Sequence, residues 1–450
     1  MPGIERIIES TLNLINKVAG NNEANIPAII TDETPSVDGA FGAGYAKRYS
    51  SRDLDAVGED FSTSGDTYKA ASAIVSQTAP PLYFYVIKRQ AAVAGVIDLV
   101  FDAALVASNN IAGTVNGTAI SVNYATSNAD TLTAIAAAIE ALPEVDTAVS
   151  DGTDTITITF EDEYVPAVGT FTVTGGVSQA EVTATVDTAA VTIQDDIANA
   201  IAETDTNKWF LLLPTTTNKG AALAAAAKVE SLGDRKMLLL HSTEAAIYAA
   251  GSTDLASKLK ALNYKRTGLF YHDDSTEMVH CALAGVLMGK GPGKIQASLR
   301  TLVGVTAAPL TTAQIAILEG KNCNSYASIG YGPATLPGIQ VNGMDTDAIR
   351  DTFYALDQLD LALYNSLTSQ DKVEYNAVGA QKLQGEGQKV VDKMVGLGVF
   401  DSTYSNTFSV PDPLTLLEAE QTAGSFSECV LDAKHLKSGR KIKYTANVGV

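Results

Sequence analysis

Four histidines, His241, His272, His280 and His435, are the side chains of this sequence best suited to proton or metal chemistry near neutral pH. His272 is followed directly by Asp273 and Asp274, which would place an acid/base pair, or metal donors, side by side. The trio follows a short apolar run, Gly268 to Tyr271, that reads as a buried strand. Ligands of open α/β sheets bind just beyond the carboxyl ends of such strands. No second donor cluster at metal-ligand spacing accompanies it, so the plainer reading, a solvated polar loop, is preferred. His241–Ser242 also ends an apolar run, but no Gly-x-Ser-x-Gly elbow surrounds it. His280 lies among apolar helix residues and reads as a core histidine. The run Gly289–Lys290–Gly291–Pro292–Gly293–Lys294 invites comparison with a phosphate loop. Its spacing is not Gly-x-x-x-x-Gly-Lys-Ser/Thr, and Pro292 removes a backbone donor, so it reads as a connecting loop. No catalytic, cofactor-binding or metal-binding residue is assigned.

The elements that would position these residues centre on Lys208 to Ser242. Trp209 to Leu213 is a continuous apolar run closed by Pro214, as in a strand buried on both faces. Thr215 to Asn218 offers capping groups, and Ala221 to Val229 is rich in the best helix former. Gly233 ends that helix, and Lys236 to Leu240 is a second apolar run. Strand, helix and strand at this spacing predict a parallel crossover unit. The pattern continues with a helix over Thr243 to Leu262, the strand Gly268 to Tyr271 and a helix over Glu277 to Met288. The predicted fold class is therefore a mixed α/β body.

Composition narrows the function classes. A chain of 450 residues is long enough for about two to four domains. No apolar run approaches the roughly 20 residues that span a bilayer, and the N-terminus has no apolar signal core, so a soluble chain with no membrane partner is expected. Cys281, Cys323 and Cys429 are odd in number and far apart, which gives neither a disulfide framework nor a zinc spacing. The formal net charge of −20 argues against nucleic acid as a partner; the basic exception is the tail, Lys434 to Lys443.

Read in order, the chain begins with Ile4 to Val18, an apolar segment that fits either a helix or a strand, set apart by Gly20 to Asn22. Ile26 to Thr31 reads as a strand. Tyr49–Ser50–Ser51 leads into a short helix at Leu54 to Phe61, a longer helix covers Ser64 to Gln77, and Leu82 to Lys88 is a strand of the Trp209 sheet. From Ala91 to Asp187 the composition shifts to Thr, Val, Ala, Asp and Gly with few basic residues, predicting an inserted β-rich domain with one helix at Thr131 to Leu142. Further on, strands at Ser325 to Ile329 and Gly338 to Asn342 are expected to pair. Helices follow at Asp345 to Leu367 and Gln370 to Met394, the second weakened by Gly385 and Gly387. Leu414 to Gln421 is read as a last short helix. The tail Lys441 to Val450 alternates like a strand.

Several stretches, in this order, resemble the sheath proteins of contractile bacteriophage tails: Tyr49–Ser50–Ser51–Arg52–Asp53–Leu54, Tyr68–Lys69–Ala70–Ala71, Ser76–Gln77–Thr78–Ala79–Pro80–Pro81, Thr301–Leu302–Val303–Gly304–Val305–Thr306, Lys321–Asn322–Cys323–Asn324–Ser325–Tyr326 and Asp345–Thr346–Asp347–Ala348–Ile349–Arg350–Asp351. The match covers most of the body but not Ala91 to Asp187. The resemblance implies an N-terminal arm over 1–22, a discontinuous α/β sheath body over 23–90 and 188–425, an inserted outer domain over 91–187 and a C-terminal arm over 426–450. It implies a structural subunit of the virion tail, assembled in the host cytoplasm, not an enzyme, with no cofactor. Copies would stack as hexameric rings around a tail tube, meet baseplate and tail-terminator proteins, and contract to drive the tube through the host envelope. In that family the arms add strands to neighbouring subunits. The matching residues are Ile4, Ile7, Ile8, Leu12 and Leu14 at one end, and Lys441, Ile442, Tyr444, Ala446 and Val448 at the other. Tube contact through charge would fall to Lys382, Lys389 and Lys393 on one helix face. Two rival readings stand beside it: a soluble α/β enzyme using the His272 to Asp274 loop, and a surface-display or adhesin subunit binding through the inserted domain.

Overall fold

The structure is a computed structural model, and it describes residues 25–36, 41, 44–204, 209–232, 235–328, 330, 332–369 and 372–437. The described chain divides into two compact units, one formed by 1–88, 200–217 and 229–450, the other by 89–199 and 218–228.

The first unit is built on one mixed sheet. Its strands are β1 (Pro27–Thr31), β2 (Ala46–Ser50) and β3 (Tyr83–Lys88). Helices α1 (Asp55–Asp60) and α2 (Asp66–Val75) lie between β2 and β3 in the chain. The second unit contributes β4 (Val96–Phe101), β5 (Asn110–Val115), β6 (Thr118–Asn123), α3 (Asn128–Glu140), β7 (Val145–Ser150), β8 (Thr155–Phe160), β9 (Thr172–Thr174) and β10 (Val182–Thr188). Helix α4 (Ile193–Thr204) leads to β11 (Leu211–Pro214), and α5 (Lys219–Ser231) connects β11 to β12 (Met237–Ser242). Then follow α6 (Leu255–Leu262), β13 (Thr267–Tyr271), α7 (Val279–Met288), α8 (Thr312–Gly320), β14 (Asn324–Ser328) and β15 (Pro333–Leu336). The chain continues with α9 (Thr346–Thr368), α10 (Ala377–Leu397), β16 (Thr407–Ser409), α11 (Glu418–Ala423) and β17 (Val430–Asp432).

The large sheet has the order β15-β14-β13-β12-β11-β1-β3-β2. Its six central strands pair in parallel, and one antiparallel strand closes each edge. Every residue of β1, β11, β12 and β13 is buried, which is why these strands read as unbroken apolar runs. The parallel α/β body expected from the sequence is thus present. A second core joins α9 and α10 to the small β16–β17 sheet through Leu359, Leu383, Val391, Met394 and Phe408.

The second unit carries a four-stranded sheet, β10-β4-β8-β7, and a three-stranded one, β6-β5-β9. Its core includes Leu99, Ile111, Leu132, Ile135, Ile156 and Phe160. The two ends of its main segment are tied to each other. Arg89 bonds to Glu163 and, at 3.1 Å, to Asp196; both carboxylates also accept backbone N–H bonds, from Ile193 at 3.1 Å and from Gln90 at 3.0 Å. Burial alone would push the Asp196 carboxyl up, and it does so here against the pull of Arg89.

Local chemistry shifts several expected boundaries. Tyr49–Ser50 ends the strand β2, and the short helix expected after it at Leu54 to Phe61 is α1; the Tyr49 hydroxyl donates to buried Asp60 at the end of that helix. The single helix expected over Thr243 to Leu262 is two pieces. A 3₁₀ turn at Ala245–Tyr248 stops before Gly251, and Asp254 caps α6 by accepting from Ser257 N at 3.0 Å. The strand expected at Gly338 to Asn342 does not form, and β14 pairs with Pro333–Leu336 instead. The Gly338 and Ile339 amides are taken by the Asn324 side chain, each at 2.8 Å. Helix α10 starts late because Asn376 caps it, accepting from Val378 N and Gly379 N. Leu414 to Gln421 is a 3₁₀ turn at Pro413–Thr415 followed by α11.

Gly385 and Gly387 both lie inside α10, which stays continuous, and their roles differ. A Cβ on Gly387 would stand 2.1 Å from Cδ1 of Phe408, whereas one on Gly385 would meet nothing within 4 Å. The same substitution therefore has opposite signs at the two sites. Gly385→Ala is expected to stabilise by about 0.5–1 kcal/mol through helix propensity. Gly387→Ala is expected to cost about 1–3 kcal/mol by overpacking. Urea unfolding of the two variants checks both signs.

Candidate functional site

In parallel α/β sheets the place for a ligand is the crevice beyond the carboxyl ends of strands where the order reverses, here around β1 and β11. In this chain that position is filled from within. Glu33, two residues beyond β1, accepts from Thr67 N in the first turn of α2 at 3.0 Å. The Thr67 and Thr215 hydroxyls both donate to Thr31 Oγ1, at 3.0 and 3.3 Å. A carboxylate at a helix N-terminus is favourable, and here the chain supplies its own.

Three of the four histidines meet at the same end of the sheet. The His241 ring stacks on His280 at 5.4 Å between centroids and meets His272 edge-on at 6.5 Å. All three are buried. His272 fits one neutral tautomer: Nε2 donates to the Thr306 carbonyl at 2.9 Å and Nδ1 accepts from Asp274 N at 3.1 Å. Asp273 approaches Nδ1 at 3.6 Å, and Asp274 spends its Oδ1 on Thr276. His280 Nε2 donates to the Pro214 carbonyl at the end of β11, at 2.9 Å. Neither nitrogen of His241 has a partner. Asp273 and Asp274 are exposed, as the solvated-loop reading expects, whereas His272 itself is buried beneath the turn they form. His280 is a core histidine, as its apolar neighbours imply. Among the described residues no group of three or more His, Cys, Asp or Glu could hold a metal ion, and no helix is long and apolar enough to cross a membrane.

Three of the stretches that carry the sheath resemblance bond to one irregular segment, Gly289 to Thr306, which contains a fourth. Gln77 grips Val303 with both ends of its amide, each bond 3.0 Å. The Tyr326 hydroxyl accepts from Leu302 N at 3.1 Å. Asp347 accepts from Ala297 N at 3.1 Å and Asp351 from Gly293 N at 2.9 Å. Thr335 Oγ1 takes Arg300 N and donates to the Ala297 carbonyl. Gly293 adopts a φ of +74°, and a Cβ there would press to 2.4 Å from the Leu397 carbonyl. The glycine-rich run is therefore a tight packing turn whose amide is already used by Asp351.

Of the three lysines singled out on α10, all are exposed. Lys389 pairs with Glu386 at 2.6 Å, and Lys393 Nζ donates to Gln358 Oε1 on α9 at 2.9 Å. The arm residues Ile4, Ile7, Ile8, Leu12, Leu14, Lys441, Ile442, Tyr444, Ala446 and Val448 lie outside the described residues. Sequence reasoning missed the buried arginines. Arg235 forks between Asp357 and Asp360 of α9, and Arg350 is 1% exposed inside the body. The i,i+3 pair of aspartates on a helix was a legible signal for the first; nothing local marks the second.

The histidine cluster makes stability depend on pH. Burial holds His241 well below its usual range, with the neighbouring His280 and His272 adding to the shift. Burial likewise lowers His280 to about 4 against the pull of the Pro214 carbonyl. Unfolded, both rings take up protons as the pH falls through about 6.5; folded, they do not until far lower. Their stabilising share is full above that value and is lost as the pH drops toward 4. Each ring contributes a slope of about 1.4 kcal/mol per pH unit. His241→Met should flatten the pH dependence of unfolding between about pH 6 and 4 by that one share. An unchanged slope would mean His241 is protonated freely in the fold.

No family model matches the sequence, and no curated relative matches it. Solved structures do. The chain is similar to a subunit in the cryo-EM structure of the anti-feeding prophage baseplate, with a TM-score of 0.53, 12% identity and coverage of 98% of this chain and 100% of that one. It is similar to a subunit of the contracted helical sheath of the same anti-feeding prophage, with a TM-score of 0.52, 12% identity and coverage of 99% and 98%. A subunit of the contracted sheath complex of the PVC extracellular contractile injection system gives 0.52, 10% identity and coverage of 98% and 96%. Over nearly its whole length, then, this chain has the fold of a contractile-tail sheath protein.

Proposed function

We propose that this chain is the structural subunit of a contractile sheath of the phage-tail type. Copies stack as hexameric rings around a rigid tube, attach at a baseplate and a tail terminator, and contract to drive the tube through an envelope. The observation that carries the reading is the likeness to sheath subunits over 98–99% of this chain, both units included. A second observation supports a structural role: the crevice an α/β enzyme leaves open is occupied by Glu33 and threonine hydroxyls, and the His272 ring is buried with both nitrogens engaged.

Work in such a device needs no bound nucleotide. The extended lattice is kinetically trapped, and the repacking of subunit contacts releases the energy. Links between subunits must then survive a large rearrangement, which suits strand addition by terminal arms. Residues 4–18 and 441–448 are the arms in this reading. The β16–β17 pair is a fitting acceptor, because a sheet of two strands is marginal alone and offers unpaired edges. The exposed face of α10 with Lys382, Lys389 and Lys393 is the surface turned to the tube.

Two sets of variants test the reading by the yield of sedimenting polymer. Removing residues 1–22 or 441–450 should leave a folded chain that no longer polymerises. Reversing Lys382, Lys389 and Lys393 to glutamate should spare self-assembly but cut growth on a tube at least tenfold, if each rim charge contributes about 0.5–1 kcal/mol. Full polymer yield from the truncated chains would overturn the arm assignment, and unaltered growth on the tube would overturn the lysine face.

A further inference from the structure

We propose that Arg350 and Asp351, adjacent residues in the second turn of α9, are a shared anchor that couples the N-terminal and C-terminal ends of the body. The Arg350 guanidinium is 1% exposed and pairs directly with no carboxylate among the described residues. Its Nη2 donates to Asn25 Oδ1 at 2.7 Å and to the Lys290 carbonyl, while Nε and Nη1 have no partner. Asp351 is 3% exposed; its Oδ2 accepts from Gly293 N at 2.9 Å and is approached to 3.7 Å, beyond hydrogen-bond reach, by His435 Nε2, which like Asp351 Oδ1 has no hydrogen-bond partner among the described residues. Asp347, one turn earlier, is buried beside them.

Asn25 stands two residues before β1 and His435 three residues after β17. The points where the chain enters and leaves the body thus reach neighbouring residues of one helix. A buried cation with so few partners is sensitive to each one, because losing any leaves charge without compensation. Burial depresses Arg350 to about 10, in keeping with that shortage. Displacing Asn25 leaves Arg350 only the Lys290 carbonyl among its partners; Lys290 and Gly293 belong to the same turn, and Gly293 is held by Asp351. Strain at the first contact therefore reaches the second through both α9 and the 290–293 turn. In the sheath reading these contacts are the roots of the two arms, so a pull on one arm is felt by the other. The inference rests on that reading for its use, whereas the coupling is a property of the single chain.

Hydrogen exchange on the full-length, unassembled chain tests it, resolved by peptides. Asn25→Ala should speed exchange at residues 430–437 roughly tenfold, and His435→Ala should do the same at residues 27–31, as expected for groups held by adjacent residues of one helix. Asn25→Asp, which gives Arg350 a carboxylate, should slow exchange at residues 430–437. Peptides from β12 and β13 report whether a variant has unfolded as a whole. Exchange at residues 430–437 unchanged in both Asn25 variants would overturn the proposal. Because no assembly is involved, a failed sheath reading would leave this outcome untouched, and additive ends would leave the sheath reading standing.

Discussion

The first unit depends on satisfying the backbone of a segment that has no regular structure. Gly289 to Thr306 runs without helix or strand bonds of its own, with Pro292, Ala297, Ser298 and Leu302 buried along it, and a buried peptide group left unpaired costs about as much as a lost hydrogen bond. The partners come from side chains on five other places in the chain: Gln77 after α2, Tyr326 on β14, Thr335 on β15, and Asp347 and Asp351 on α9. Each of these residues is polar and largely buried because it completes this segment. The segment in turn fixes where α9 and the last strands of the sheet meet.

The same logic accounts for the sheet's carboxyl end. A parallel α/β sheet directs strand ends and helix N-termini to one side, which in enzymes makes a ligand site. Here Glu33 occupies the start of α2, the Pro214 carbonyl is taken by His280, and His272 is locked between Thr306 and Asp274. The strand ends and the start of α2 are thus engaged by the chain's own side chains.

Much of this was legible in the sequence. The unbroken apolar runs at Trp209 to Leu213 and Lys236 to Leu240 mark two-sided burial, and β11 and β12 are fully buried parallel strands. What escaped was set by distant partners. That Tyr49 itself lies in a strand before the helix escaped, because nothing local shows that Asp60 accepts from its hydroxyl. Gly338 to Asn342 looked like a strand because Asn324's claim on its amides is invisible in sequence. His241, His272 and His280, 31 and 8 residues apart in the chain, could not be seen to stack, and Arg350 carried no sign of being buried. The order of short stretches, read as a resemblance to sheath proteins, was more informative than any of them alone, and three of them supply the partners of Gly289 to Thr306.

The central claim is that many copies of this chain form a sheath. Negative-stain electron microscopy of the purified full-length chain, concentrated and aged with preformed tail tubes, tests it most directly. The account predicts striated tubular coats or stacked rings with six-fold symmetry. Uniform small closed particles, with the tubes left bare, would contradict it.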